Sequence, residues 1–178
     1  MARNIEIKAR IESVSTLRPR ARALAGAEPE VIDQDDTFFA LPPGRGRLKL
    51  REFADGSAEL IHYQRGDSAE AKASDYVRVP VSQPAAMREA LTRALGVLGR
   101  VRKRRMLLRV GATRIHLDQV EGLPDHMELE VVLADGQSDA QGMAIAEDLM
   151  HRLGLADPAV APRVAGAYLD LLLARTPR

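Results

Sequence analysis

"NIEIKARI", residues 4–11, alternates polar and apolar side chains without a break. Asn4, Glu6, Lys8 and Arg10 fall on one face and Ile5, Ile7, Ala9 and Ile11 on the other, the period of two that marks a half-buried strand. The polar face mixes an acid with two cations. Either that face looks at water, or it looks at something that needs both signs of charge.

The same alternation recurs near 30–40, 46–53, 58–65, 74–81, 100–110, 112–120 and 126–134, each stretch bounded by Gly, Pro or Asp turns. With the opening strand, eight are expected. Helical spacing predicts helices near 14–25, 84–95, 139–153 and 162–174. In the second, Ser82 reads as the N-cap, Pro84 as a first-turn residue, and Met87, Leu91 and Leu95 as an apolar stripe. Ser138 opens the third in the same way. The fourth carries Val164, Tyr168, Leu171 and Leu172 on one side.

Composition limits the partners. The chain has 178 residues with 26 Lys and Arg against 25 Asp and Glu, so bulk charge draws it toward neither nucleic acid nor membrane. The absence of cysteine removes disulfides, thiolate metal sites and a Cys nucleophile. No apolar run approaches the ~20 residues of a membrane helix, and no signal-peptide core precedes the first strand. A single domain over 1–178, soluble and cytoplasmic, is expected, with a homodimer the one protein partnership left open.

The polar faces repeat one design. Lys49 and Arg51 stand two apart, as do Tyr63 and Arg65, and Lys103 and Arg105; Arg114, His116 and Asp118 share a face, and so do Glu128 and Glu130. A polar face on any one strand is most simply a solvated face. Six strands with the same design favour another arrangement: helices cover the aliphatic faces, and the sheet curls into a closed or nearly closed eight-stranded antiparallel barrel of the α+β class. The lumen then holds Lys8, Lys49, Arg51, Arg65, Lys103, Arg105 and Arg114 against Glu6, Asp118, Glu128 and Glu130, an excess of three positive charges. Such an interior calls for a polyanion, because like charges at low dielectric repel by several kcal/mol. The carboxylates beside it suit Mg²⁺ or Mn²⁺, which bridge protein oxygens to phosphate.

These residues resemble the E-x-E-x-K signature of the CYTH superfamily, the triphosphate tunnel metalloenzymes, in "NIEIK" (4–8). The likeness continues through "GRLKLRE" (46–52), "ELIHYQR" (59–65), "RKRR" (102–105), "TRIHLDQVEGLP" (113–124), "ELEVV" (128–132) and "AYLDLLL" (167–173). The branch similar to class IV adenylyl cyclases has a stretch like "HLDQVEGL" before its paired-Glu strand. The resemblance implies a tunnel in which Glu6, Glu128 and Glu130 hold metal and Asp118 is a further ligand or an acid–base residue. It implies that Lys8, Lys49, Arg51, Arg65, Lys103, Arg105 and Arg114 bind phosphate oxygens, with Glu6, Asp118 and Lys8 nearest the chemistry. Asn4 departs from the signature, which has Glu there.

Three functions follow as expectations: metal-dependent hydrolysis of tripolyphosphate or a nucleoside triphosphate, adenylyl cyclisation to cyclic AMP and diphosphate, or non-catalytic binding of polyphosphate, nucleotide or RNA 5′ ends. Hydrolysis needs the tunnel alone and is favoured. "RVRKRR" (100–105) is the one nucleic-acid-like segment, and three Tyr, three Phe and no Trp leave few stacking platforms. Alternation sends Lys103 and Arg105 inward and Arg102 and Arg104 outward. His116 reads as a strand residue bonded to a neighbour, Tyr63 as rim packing, Tyr168 as the anchor of the last helix, and Asp35–Asp36 as a polar strand start.

Overall fold

The computed structural model describes residues 3–64 and 75–175. Its strands are β1 (Arg3–Arg10), β2 (Glu30–Phe39), β3 (Arg47–Phe53), β4 (Ala58–Gln64), β5 (Asp75–Pro80), β6 (Val97–Val110), β7 (Thr113–Val120) and β8 (His126–Leu133). Its helices are α1 (Val14–Ala25), α2 (Pro84–Leu95), α3 (Asp139–Arg152) and α4 (Tyr168–Arg175). The strands form one antiparallel sheet in the order β1-β8-β7-β6-β2-β3-β4-β5, curled into a half-barrel with β1 and β5 at its edges. This is the α+β architecture expected from the alternation.

Period-two patterning decides which side of the sheet is buried by helices. Ile5, Ile7 and Ala9 of β1, Ile115 and Leu117 of β7, and Met127, Leu129 and Val131 of β8 pack with Val14, Leu17 and Ala21 of α1 and Ala146, Leu149 and Met150 of α3. Each fully buried Leu or Ile contributes about 1.5–3 kcal/mol, so this outer core is the main stabiliser of the β1–β8–β7 end. α3 lies very close to the sheet: a Cβ at Gly142 would stand 2.5 Å from Leu133 Cδ2 and 2.7 Å from Ile5 Cγ1. At the other end, Phe39, Leu50 and Ala58 pack under Met87, Leu91 and Leu95 of α2.

α4 is placed differently. Phe38, Val101 and Val120 have the same strand parity as the inward charges, and they pack against Tyr168 and Leu169. α4 therefore plugs one end of the concave side instead of covering the convex side. Arg47 Nη2 donates to Asp170 Oδ1 at 2.6 Å and ties the plug to β3.

Three local expectations need correction. α4 begins at Tyr168 and not near 162, because residues 162–164 run along the free edge of β1. There Arg10 N donates to Pro162 O at 3.0 Å and Val164 N to Lys8 O at 2.9 Å, satisfying edge groups that a helix could not reach. β6 begins at Val97, directly after α2. The N-cap of α2 is Gln83, without a side-chain cap, and not Ser82; Pro84 at the first helical position supplies the preset φ instead. Ser138 does cap α3, in a capping box with Gln141. Among the described residues no helix is long and apolar enough to cross a membrane.

Candidate active site

Strand register brings the charged residues together. Glu6 stands opposite Glu130 and Lys8 opposite Glu128 across β1–β8; Arg114 and His116 stand opposite the same two glutamates across β7–β8. Arg105 is opposite Asp118, and Arg51 is opposite Asp36. Directly opposed residues share a face, so one concave surface collects them all. A cavity of about 200 Å³ opens on it. Glu6, Lys8, Glu128, Glu130 and His116 line its β1–β8–β7 wall, Lys49, Arg51 and Tyr63 the β3–β4 wall, and Lys103 and Arg105 of β6 the floor between. Tyr168 closes the end plugged by α4.

The carboxylates arrange the cations. Asp36 accepts from Arg51 Nε and Nη2 at 2.7 Å each, and from Lys49 Nζ at 2.7 Å. Asp118 accepts from Arg105 Nε at 2.7 Å and Nη2 at 2.6 Å, and from the Tyr168 hydroxyl at 2.8 Å, with Lys103 Nζ at 3.6 Å. Lys8 Nζ lies 3.4 Å from Glu128, donates to Gly166 O at 3.1 Å and sits over the Tyr168 ring at 4.6 Å. Arg114 makes a fork of 2.7 and 2.8 Å bonds to Glu130.

These partners shift the titrations. Burial pushes the Asp36 carboxyl up, but Lys49 and Arg51 more than offset it and hold it well below the usual carboxylate range. Asp118 is held low in the same way by Lys103 and Arg105, and Glu128 by Lys8 and Arg105. Burial lowers Lys49 to about 8 despite Asp36. Lys103 falls to about 7, because burial and then Arg105 outweigh Asp118. Burial, helped by Arg105, also lowers His116, whose Nδ1 makes no hydrogen bond and stands 3.8 Å from Glu128. The expected hydrogen bond of His116 to a strand neighbour is absent at that distance.

Two acidic positions differ from expectation. Asp36 is a buried anchor of two cations that line the cavity and not a polar strand start. Its signal was parity: Gln34, Asp36 and Phe38 alternate with the outward Asp33 and Asp35. Asp118 is 0 % exposed and lies behind Arg105, outside the cavity lining, with both oxygens occupied. Asp36 adds a fifth carboxylate to the four expected, so the positive excess is smaller by one than expected. Arg65 lies outside the described residues. Arg114 is turned onto Glu130 at the margin of the cavity. Among the described residues no three His, Asp or Glu form a ready metal cluster.

Arg102 and Arg104 face the opposite side. They pair with Asp35, Glu121 and Asp33 along a larger outer groove of about 490 Å³. Its charges are already matched in solvent, so the smaller concave cavity is the stronger candidate site.

The CYTH domain family model matches residues 2–165. Protein PH1012 from Pyrococcus horikoshii has the same fold, with a TM-score of 0.80 and 24% identity over 95% of this chain and 99% of its own. A candidate adenylate cyclase from Vibrio parahaemolyticus gives 0.73 and 20% over 97% and 98%. HpAC1 from Hippeastrum, a candidate adenylyl cyclase described with a dominant triphosphatase activity, gives 0.69 and 18% over 96% and 95%. No curated protein matches the chain by sequence.

Proposed function

Because this chain belongs to the CYTH family, whose members are triphosphatases or adenylyl cyclases acting with divalent metal ions, we propose that it is a metal-dependent triphosphatase. The observation that carries the reading is the convergence of Lys8, Lys49, Arg51, Arg105 and Lys103 on one cavity, where the Lys103 side chain is only 6% exposed and burial with Arg105 lowers its ammonium to about 7. The protein alone leaves that charge poorly compensated, and a triphosphate threaded through the tunnel compensates it.

In this reading Lys8, Lys49, Arg51, Lys103, Arg105, Arg114 and, beyond the described residues, Arg65 bind phosphate oxygens. Asp36 and Asp118 keep Arg51 and Arg105 oriented before substrate arrives, so little reorganisation is needed as charge develops. Their low titration keeps both ionised and poorly suited to proton transfer, and Asp118, with both oxygens already accepting from Arg105 and Tyr168 and outside the cavity lining, is suited to positioning. Glu6, Glu128 and Glu130 are hard oxygen donors on adjacent strands and fit a Mg²⁺ or Mn²⁺ ion. Bound there, the ion neutralises phosphate charge. Each glutamate is now held by a cation or an amide that phosphate oxygens can draw away. Lys103 Nζ takes up a proton as the anion enters, and water attacks the terminal phosphorus while the cations stabilise the leaving diphosphate.

Incubation with tripolyphosphate, ATP and thiamine triphosphate, in Mg²⁺ and in Mn²⁺, followed by product analysis, tests this. Orthophosphate is the expected product. Cyclic AMP with diphosphate would make the protein a cyclase, and saturable binding without turnover a polyphosphate-binding protein.

A further inference from the structure

The three tyrosines of this chain are Tyr63, Tyr76 and Tyr168. Tyr168 plugs the cavity and Tyr63 lines its wall. Tyr76, on the edge strand β5, stands directly opposite Tyr63 in the β4–β5 register, and Arg78 stands opposite Ile61. Through β4 the same register opposes Tyr63 to Arg47 and Ile61 to Lys49. Tyr76 and Arg78 therefore continue the face that carries Lys49 and Arg51, one strand beyond the cavity.

Their state is unusual for that face. Tyr76 is 50% exposed, and no described strand lies beyond β5 to cover it. The Arg78 guanidinium sits 5.6 Å from the centre of the Tyr76 ring, and Glu59 lies 3.8 Å from it. A flat cation is already placed over an aromatic ring. The two groups present the kind of surface on which a planar heterocycle stacks.

Volume points the same way. The cavity of about 200 Å³ is below the ~300–1,000 Å³ of pockets that enclose a whole organic ligand. It suits a phosphate chain. Any organic group attached to that chain must lie on an adjoining wall, and β4–β5 is the wall that offers aromatic surface beside the cavity.

We propose that Tyr76 and Arg78, with Tyr63 at the cavity margin, form a subsite for the planar aromatic group of an organic triphosphate such as a nucleoside triphosphate. The proposal rests on the triphosphate reading of the same tunnel, and it assigns the selection between organic and inorganic triphosphates to the edge strand. The cations hold what both kinds of substrate share; the shelf on β5 holds what only the organic one has.

Calorimetric titration of the full chain with tripolyphosphate and with the hydrolysis-resistant ATP analogue containing a β,γ-imido bridge, in Mg²⁺, separates the possibilities. Tyr76→Ala should weaken the nucleotide analogue roughly tenfold to a hundredfold, the usual loss of one base–aromatic stack, and change tripolyphosphate less than twofold. Tyr76→Phe should keep most of the nucleotide affinity. Since the chain has no Trp, its near-ultraviolet emission is tyrosine emission; the nucleotide should quench it in the wild type and less in Tyr76→Phe. Unchanged tripolyphosphate affinity in each variant shows that it is folded. If tripolyphosphate binds but nucleotide affinity is unaffected by Tyr76→Ala, or the nucleotide does not bind, the shelf is overturned and the tunnel reading stands. If the wild type binds neither ligand, both fall.

Discussion

Asn4 Nδ2 donates to Glu130 Oε1 at 2.6 Å, and the same amide reaches Glu6 Oε1 at 3.3 Å. A neutral donor thus bridges two carboxylates on adjacent strands where the family signature places a third carboxylate. Asn4→Glu removes the donor and adds a like charge. In a chelator it should lower stability by about 1–3 kcal/mol, for the lost part-buried hydrogen bonds and the added repulsion, and Mg²⁺ should restore it. The metal concentration for half-maximal activity should fall. Melting curves with and without Mg²⁺, beside a metal titration of activity, check this; identical responses in the variant and the wild type would remove Asn4 from metal binding.

Asp118 faces Arg105, Lys103 and the Tyr168 hydroxyl with no solvent to replace it. Asp118→Asn keeps the shape and removes the charge. Leaving buried cations without their partner should cost about 3–5 kcal/mol in denaturant unfolding. Tripolyphosphate should recover part of that loss by supplying anionic oxygen. A loss under 1 kcal/mol would mean that Asp118 does not organise the floor of the tunnel.

Proton linkage follows from two largely enclosed lysines, lowered to about 7 for Lys103 and about 8 for Lys49. Both fall below their ordinary 10.5, so between about pH 7 and 10 the unfolded chain holds more protons than the folded one. With respect to these groups the unliganded protein gains stability as pH rises through that window. Asp36 and Asp118 have the same sign in a lower window: their stabilisation is full above about pH 4 and is lost only in stronger acid. Binding of tripolyphosphate near pH 8.5 should therefore take up protons. Calorimetry in two buffers of different ionisation enthalpy measures the number, and zero uptake would contradict a cationic tunnel that recharges on binding.

Lys103→Met sets stability against binding. Removing a buried charge next to Arg105 should raise the melting temperature of the unliganded protein, while tripolyphosphate affinity falls by about 1–3 kcal/mol for the lost charge-assisted contact. Arg102→Ala and Arg104→Ala, on the outer face with side chains 51% and 58% exposed, should change affinity little. The reverse pattern would invert the strand assignment.

How much of this was legible in the sequence depends on what each stretch had to compete with. In β6, "RKRR" resolves by strict alternation into two inward and two outward side chains, because only a strand with one covered face makes parity matter. In β2, "DQDD" carries acids at both parities, and nothing local says that Asp36 meets Arg51 while Asp35 meets Arg100; that is decided by partners on other strands. Residues 162–164 look like the first turn of a helix until the free edge of β1 is available to pair with them. His116 was expected to have a hydrogen-bonded neighbour, but the two glutamates on β8 stand just too far away.

Packing supplies a prediction independent of the tunnel. Gly142→Ala would set a methyl against Leu133 and Ile5 at under 3 Å. It should cost about 1–3 kcal/mol by overpacking, with tripolyphosphate affinity per folded molecule unchanged. A variant as stable as the wild type would show that α3 can move away from β1 and β8 freely.

The strap of residues 162–164 on β1 bears on the order in which the molecule assembles. β1 comes first in the chain, yet its partners are β8, reached across 126 residues at the Asn4–Glu130 bond, and a strap that lies later still. Closing so long a loop is entropically slow, so hairpins such as β3–β4 and β6–β7 can form while β1 is still unpaired. Glu6 and Lys8 would then join a nearly complete cationic surface as its last members. Amide exchange in β1 during refolding should accordingly lag behind that in β6 and β7, and an anion present from the start should speed the final docking by quieting the repulsion among the cations already in place.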